Sequence, residues 1–419
     1  MTPPPASVDT FFRSRWVDAP AGTTEVDRDA LPAGFRAAGI ACGIKESGDR
    51  DLGLLLCDVE EATSAARFTR NALAAAPVTV SRRAALSRLR AVVVNSGNAN
   101  VSNGDAGLAT AAAMVETAAR GAGVEPERVG VASTGIIGVG LERTPVLEGI
   151  ASVVDALSPA AGDFALAIMT TDRWPKYAAL EVGLSNGSVR LSAQAKGGGM
   201  IAPSFATMLC FVETDAVLDA TTLARLLDAA IERSFERISV DGQLSTNDSV
   251  FAFASGESGV RVEPGSGDEE LFAAALDALL KQLALEIVAD GEGASRVARL
   301  IVRGPDGATE PVARGVANSP LVKCALYGGD PNWGRIAQAA GQALPELGDA
   351  EFDIAIEGIE VSRRGAAVAL DAAAQDRLDA AMRAPEVEFE LGFGVHEGED
   401  EIFFCDLGPE YVRINAEYT

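Results

Sequence analysis

Residues 177–195, "YAALEVGLSNGSVRLSAQA", constrain the fold more than any other stretch of this chain. Ala178, Leu180 and Val182 alternate with their neighbours, Asn186-Gly187 supplies two residues that tolerate positive φ, and Val189 and Leu191 answer on the far side. Alternation on either side of Asn-Gly marks an antiparallel hairpin. A hairpin in mid-chain argues against a doubly wound parallel sheet, in which each strand returns through a helix. Elsewhere strands and helices alternate. "AVVVN" (91–95) is a strand that runs into "SGNANVSNGDAG" and then an Ala-rich helix to about Arg120, and "RVGVA" (128–132) is a strand ending at "STGIIG". Thr144-Pro145 supplies an N-cap and a first-turn proline for a helix to about Ala156. Beyond the hairpin come a helix at about 222–235, the loop "SVDGQLSTNDS", the strand "VFAFA", a long helix at 268–288 and the strand "VARLIVRG". A helix from about Ser319, the loop "YGGDPNWGR", three or four strands and a last helix complete the chain. Strands paired between helices predict an α+β fold, a layered sandwich. Residues 1–30, rich in proline, read as an irregular, poorly ordered extension.

The residue inventory excludes much chemistry. A formal net charge of −25 argues against nucleic acid and anionic membrane surfaces. No run is long enough to span a bilayer, and the first residues lack the design of a secretory signal, so a cytoplasmic protein is expected. The cysteines (Cys42, Cys57, Cys210, Cys324 and Cys405) form no CxxC pair and read as small buried hydrophobes in a reducing compartment. His396 is the sole histidine, set in a Gly/Glu-rich turn, so neither a histidine metal site nor a histidine-based triad is expected. No metal and no cofactor is called for. A nucleophilic enzyme built on this chain needs its base elsewhere.

Near the midpoint, "KGGGMIAPSFATMLCF" (196–211) sets three glycines before a strand that begins with a threonine. It is not a phosphate loop, since the lysine precedes the glycines and a strand follows them. Thr207 is a weak nucleophile without a base. Were the bond before it cut, its own α-amine, with an ordinary pKa of roughly 7.7–8.0, would serve as that base. Three glycines and a small Ala206 favour a strained, cuttable bond. A threonine that enters a buried strand more often simply packs there. The residues alone leave both readings open.

The segment closely resembles the cleavage segment of the ornithine acetyltransferase family, the glutamate N-acetyltransferases of arginine biosynthesis. "VVVNSGNAN", "STGIIG", "AIMTTDRWPK", "SVDGQLSTNDS", "ADGEGAS", "VANSPLVKCALYGGDPNWGRI" and "YVRINAEYT" resemble that family's segments in its order, from about Gly34 onward. The resemblance implies self-cleavage between Ala206 and Thr207 into an α chain (31–206 after the extension) and a β chain (207–419) that stay associated, typically as α2β2. It implies a ping-pong reaction in which N-acetylornithine acetylates Thr207 and glutamate collects the acetyl group. Acetyl-CoA, used from a surface cleft, is a second candidate donor. By resemblance Thr134 and Gly135 form an oxyanion hole. Thr170, Lys196, Thr207, Glu292, Asn415 and Thr419 take substrate-binding positions, Lys196 suiting a carboxylate and Glu292 an ammonium. Thr419 stands beside the place where the family carries a further hydroxyl. "NANVSNG" and "PSFATM" depart from the family's usual "NACTG"-like and "PNMATM" forms. Two other readings compete: an N-terminal-nucleophile amidase or aminopeptidase, in which water resolves the acyl-enzyme, and a non-catalytic binding protein.

Overall fold

The computed structural model describes residues 10–202, 208–345, 348 and 350–417. The chain divides into two compact units, the first Met1–Gly197, Thr207–Glu236 and Leu244–Ala284, the second Gly198–Ala206, Arg237–Gln243 and Leu285–Thr419.

In the first unit a four-stranded sheet orders Phe35–Ile40, Leu52–Cys57, Ala91–Asn98 and Val129–Ile136. Its inner strands, "LGLLLC" and "AVVVN", are apolar without interruption because both faces are covered. Leu52, Leu54, Val93 and Val131 pack with Met114 and Ala118 of helix Gly104–Ala122 and with Val146 and Ile150 of helix Arg143–Val153. Leu55, Val92 and Val94, the alternate residues, pack with Phe211, Phe251 and Phe253 of a second sheet. That six-stranded sheet orders Thr23–Glu25, Lys176–Leu184, Gly187–Lys196, Leu209–Thr214, Ser249–Ala254 and Thr63–Phe68. Helix Ala220–Arg233, capped by the Asp219 carboxylate on the N–H groups of Thr221 and Thr222, packs against Thr63–Phe68. Helix, sheet and sheet form the layers of an α+β sandwich.

The hairpin expected at 177–195 is present, with strands Lys176–Leu184 and Gly187–Lys196 paired from Lys176↔Ala195 to Leu184↔Gly187. One connection is of the βαβ kind: Ala91–Asn98 and Val129–Ile136 run parallel, with helix Gly104–Ala122 between them in sequence. Within the stretch read as an extension, residues 1–9 lie outside the described residues, while Thr23–Glu25 pairs antiparallel with Lys176–Leu184. Edge pairing uses only backbone groups, so a Pro-rich composition nearby does not announce it. Helix Arg143–Val153 starts ahead of Thr144-Pro145, with Glu142 at the N-cap position instead of Thr144.

The second unit is built on a seven-stranded mixed sheet, ordered Ile238–Ser239, Gly398–Cys405, Val297–Gly304, Glu386–Gly392, Asp353–Ile356, Ile359–Arg363 and Ala366–Ala367. Leu300, Val302, Phe389 and Phe404 share a core with Val312, Leu326, Ile336 and Leu378 of four helices, Thr309–Ala317, Pro320–Gly328, Trp333–Ala343 and Ala372–Ala381. Ser319 accepts from the Val322 N–H and Pro320 follows it, so the helix expected near Ser319 starts there for the usual reasons. "WGR", read as loop, is instead the first turn of helix Trp333–Ala343. Among the described residues no helix is long and apolar enough to cross a membrane. Cys57, Cys210 and Cys405 are buried as expected, Cys42 is half-buried, and Cys324 is exposed.

Candidate active site

In the first unit, the parallel strands Ala91–Asn98 and Val129–Ile136 both turn from apolar to polar at one end, with Asn95 opposite Ser133 and Gly97 opposite Gly135. The Ser133 hydroxyl donates to Asn95 Oδ1 at 2.5 Å, and Asn247 Nδ2 donates to the carbonyls of Ala99 (2.7 Å) and Ser133 (2.9 Å). These bonds fix the backbone on which Thr134 and Gly135 stand. Gly135 has φ +132°, and a Cβ there would lie 2.3 Å from the Gly97 carbonyl carbon. Only glycine fits.

Thr134, buried, accepts a hydrogen bond from Lys196 Nζ at 3.2 Å, and the same ammonium donates to Thr170 Oγ1 at 2.7 Å. Lys196 reaches this place because it ends the long strand Gly187–Lys196. Beside it lies Asp172, whose Oδ2 is 3.8 Å from Lys196 Nζ and accepts from the Thr170 N–H at 3.0 Å. Its Oδ1 accepts from Lys176 Nζ at 2.8 Å and from the Gly197 N–H at 2.7 Å. Burial alone would raise this carboxyl's pKa, but Lys176 first and Lys196 second outweigh it and hold it far below the usual range. Two ammonium groups, those of Lys176 and Lys196, thus stand against one buried carboxylate.

On the next strand, Met208 donates its N–H to Asp248 Oδ1 at 3.0 Å, while Asp248 Oδ2 is buried and has no partner among the described residues. Burial drives the Asp248 carboxyl well above its ordinary pKa, against the Met208 N–H, the Ser245 hydroxyl and the more distant Lys196 charge.

The second unit holds its own polar group. The Glu292 N–H donates to the Gly198 carbonyl at 2.8 Å, and Asn415 Nδ2 donates to Glu292 Oε2 at 2.7 Å. A Cβ on Gly199 would lie 2.6 Å from the Glu292 carboxyl carbon, so the glycine run leaves the room that this carboxylate fills. Asp241 accepts from the N–H groups of Met200 (2.7 Å) and Ile201 (2.8 Å) and from the Tyr411 hydroxyl (3.1 Å). The Ile201 carbonyl in turn accepts from the N–H groups of Val240 (3.0 Å), Asp241 (3.3 Å) and Gly242 (3.1 Å).

Of the residues singled out from sequence, Thr134, Gly135, Thr170 and Lys196 are brought together in the first unit, and Glu292 with Asn415 in the second. Ala206, Thr207 and Thr419 lie outside the described residues. Sequence reasoning misses Asp172, Lys176, Asp241, Asn247 and Asp248. Each stands inside a quoted segment, but an acid, an amide or a lysine in a polar stretch gives no sign of being buried.

Residues 36–419 match the ArgJ family. The chain belongs to the ArgJ family. Its curated ArgJ relatives include the arginine biosynthesis bifunctional protein ArgJ of Symbiobacterium thermophilum, 44% identical over 92% of this chain and 97% of that protein. The protein of the same name from Chlorobaculum tepidum is 42% identical over 92% of this chain and 96% of its own length. Among solved structures, the Mycobacterium tuberculosis ornithine acetyltransferase complexed with ornithine is 38% identical over 43% of this chain and 98% of that one, with a TM-score of 0.40. The ArgJ match starts at Arg36, close to where the sequence likeness begins.

Proposed function

We propose that this ArgJ-family enzyme transfers the acetyl group of N2-acetyl-L-ornithine to L-glutamate, in arginine biosynthesis, through an acetyl ester on Thr207. Cleavage between Ala206 and Thr207 makes an α chain and a β chain, which remain together as an α2β2 assembly and expose the Thr207 α-amine. That amine takes the proton of Oγ as Oγ attacks the acetyl carbonyl. The Thr134 hydroxyl and the Gly135 N–H face the oxyanion, donors of a kind worth about 2.7–4 kcal/mol each in barrier height. Lys196 holds a substrate carboxylate with Thr170, and Glu292 with Asn415 receives an ammonium. Ornithine leaves with the proton, and the glutamate amine then attacks the ester. Acetyl-CoA serves as a second acetyl donor for glutamate.

The observation that carries this reading is the Lys196 ammonium, buried and donating to the hydroxyls of Thr134 and Thr170, beside the backbone turn at Gly135. A buried ammonium at that position suits the carboxylate of an amino-acid substrate. The test is a single-turnover experiment. Enzyme mixed with N-acetylornithine alone should gain one acetyl group on the fragment that begins at Thr207, and glutamate should discharge it as N-acetylglutamate faster than water does. Acetyl on the other fragment, or turnover with no acetylated fragment, would overturn the covalent scheme. Discharge by water at the rate of glutamate would favour the amidase reading.

A further inference from the structure

Lys176 has no part in the reaction proposed above, yet its side chain is wholly buried. Pro175 fixes its own φ just ahead of it, and Lys176 opens the strand Lys176–Leu184 with its ammonium turned back on the loop it ends. Nζ donates to Asp172 Oδ1 at 2.8 Å and to the Trp174 carbonyl at 3.3 Å, and stands 5.6 Å from the centre of the Trp174 ring. Asp172 is buried too, and both its oxygens are tied to the backbone, Oδ2 by the Thr170 N–H at 3.0 Å and Oδ1 by the Gly197 N–H at 2.7 Å. These ties fix the direction in which its carboxyl points. Burial opposes its charge, but Lys176 and then Lys196 hold it ionised. One fixed carboxylate thus faces two lysines unequally, Lys176 at 2.8 Å and Lys196 at 3.8 Å.

Attraction between opposite charges grows where water is excluded, and a lysine stem is flexible enough to follow it. Lys196 Nζ is engaged with Thr134 at 3.2 Å and Thr170 at 2.7 Å, and closing on Asp172 Oδ2 would draw it off the longer of these bonds. We propose that Lys176 is the positioning residue for Lys196: by occupying Asp172 Oδ1 it weakens the pull on Lys196 and keeps that ammonium on the two threonine hydroxyls, where a substrate carboxylate meets it. This rests on the role given to Lys196 in the proposed function. Lys176 does not itself meet the substrate, and it makes and breaks no covalent bond. It acts by setting one charge against another. Without it Asp172 pulls harder on Lys196, and the gap between them closes.

The experiment reads how strongly the enzyme needs a substrate carboxylate. N-acetylornithine and its α-carboxamide, which lacks the charge that Lys196 would hold, are compared as acetyl donors to glutamate by kcat/KM, in the wild type, in K176M and in D172N/K176M. The wild type should prefer the acid. In folded K176M that preference should fall about tenfold, the lower end expected for loss of a hydrogen bond to a charged group. D172N/K176M has no carboxylate at 172 to draw Lys196 away and should regain the preference. Removing both partners of a buried ion pair is also better tolerated than removing one, which favours folding of the double variant. A counter-ion needed only for folding would change the melting temperature of K176M and leave the preference alone. K176Q, whose amide still donates to Asp172 Oδ1, replaces K176M if that variant does not fold, and should shift the preference in the same direction. A single variant with the wild-type preference overturns the proposal, and so does a double variant as unselective as K176M. A wild type that takes acid and amide alike would overturn the role of Lys196 in the proposed function, and this inference with it.

Discussion

Lys196 Nζ stands 3.2 Å from Thr134 Oγ1 and donates to it. A hydroxyl that accepts from a cation keeps its own proton to give, and polarisation makes it a stronger donor. In the proposed reaction one lysine would thus serve two ends, as a cation for a carboxylate and as the group that sharpens Thr134 for a developing oxyanion.

Lys196→Met should therefore lower kcat as well as raise KM for N-acetylornithine, with kcat/KM down by about 10²–10³, a loss comparable to removing an oxyanion-hole donor. Steady-state kinetics on the folded variant decide it. A change in KM alone would leave Lys196 as a ground-state contact.

Asp172→Asn should destabilise the protein by about 3–5 kcal/mol, because it removes the buried carboxylate that stands 2.8 Å from the buried Lys176 ammonium. The wild-type carboxyl has a depressed folded pKa, so its stabilisation is complete above the unfolded value of about 3.9 and is lost as pH falls below it. Thermal melts between about pH 2 and pH 5 should show a steep decline below about pH 4 in the wild type and a shallower one in the variant.

Glu213 gives the opposite slope. Burial, only partly offset by hydrogen bonds from Ser192 and Gln194, raises its pKa to about 7. The folded carboxyl therefore holds its proton more tightly than the unfolded one, near about 4.3, and the associated stability is lost as pH rises through about 7. Glu213→Gln should remove that part of the alkaline decline, and at about pH 8 its melting temperature should exceed the wild type's. Identical pH–melting curves would show that the carboxyl is not titrating there.

Gly135→Ala should fail structurally before it fails chemically. Its Cβ would meet the Gly97 carbonyl carbon at 2.3 Å, backbone against backbone, where no rotamer offers relief. Soluble yield and melting temperature should both fall sharply, whereas Gly138→Ala, also at positive φ but facing open space, should cost far less.

How much of this is legible in the sequence depends on whether a signal is local. Asn186-Gly187 between alternating strands announces the hairpin, because turn chemistry and pleat are decided within a few residues. The start of helix Trp333–Ala343 is hidden by the Gly, Pro and Asp breakers immediately before it, which make the loop look longer than it is. Thr134, Gly135, Thr170 and Lys196 stand out by resemblance, and the structure brings them together from three separate segments. Asp172 and Asp248 do not stand out, since a buried acid differs from a solvated one only in neighbours distant along the chain, such as Lys196 and Met208.

The grip on Ile201 has a consequence for reach. Its carbonyl and N–H, with the Met200 N–H, are all engaged by residues 240–242. The proposed cut after Ala206 lies about five residues beyond Ile201, and that many residues fully extended span at most about 18 Å. Were the chain cut there, the new carboxylate would stay within this radius of Ile201 for as long as Asp241 and its neighbours hold. Such an end would be an anion at high local concentration, a competitor for substrate carboxylates at any cation inside that sphere.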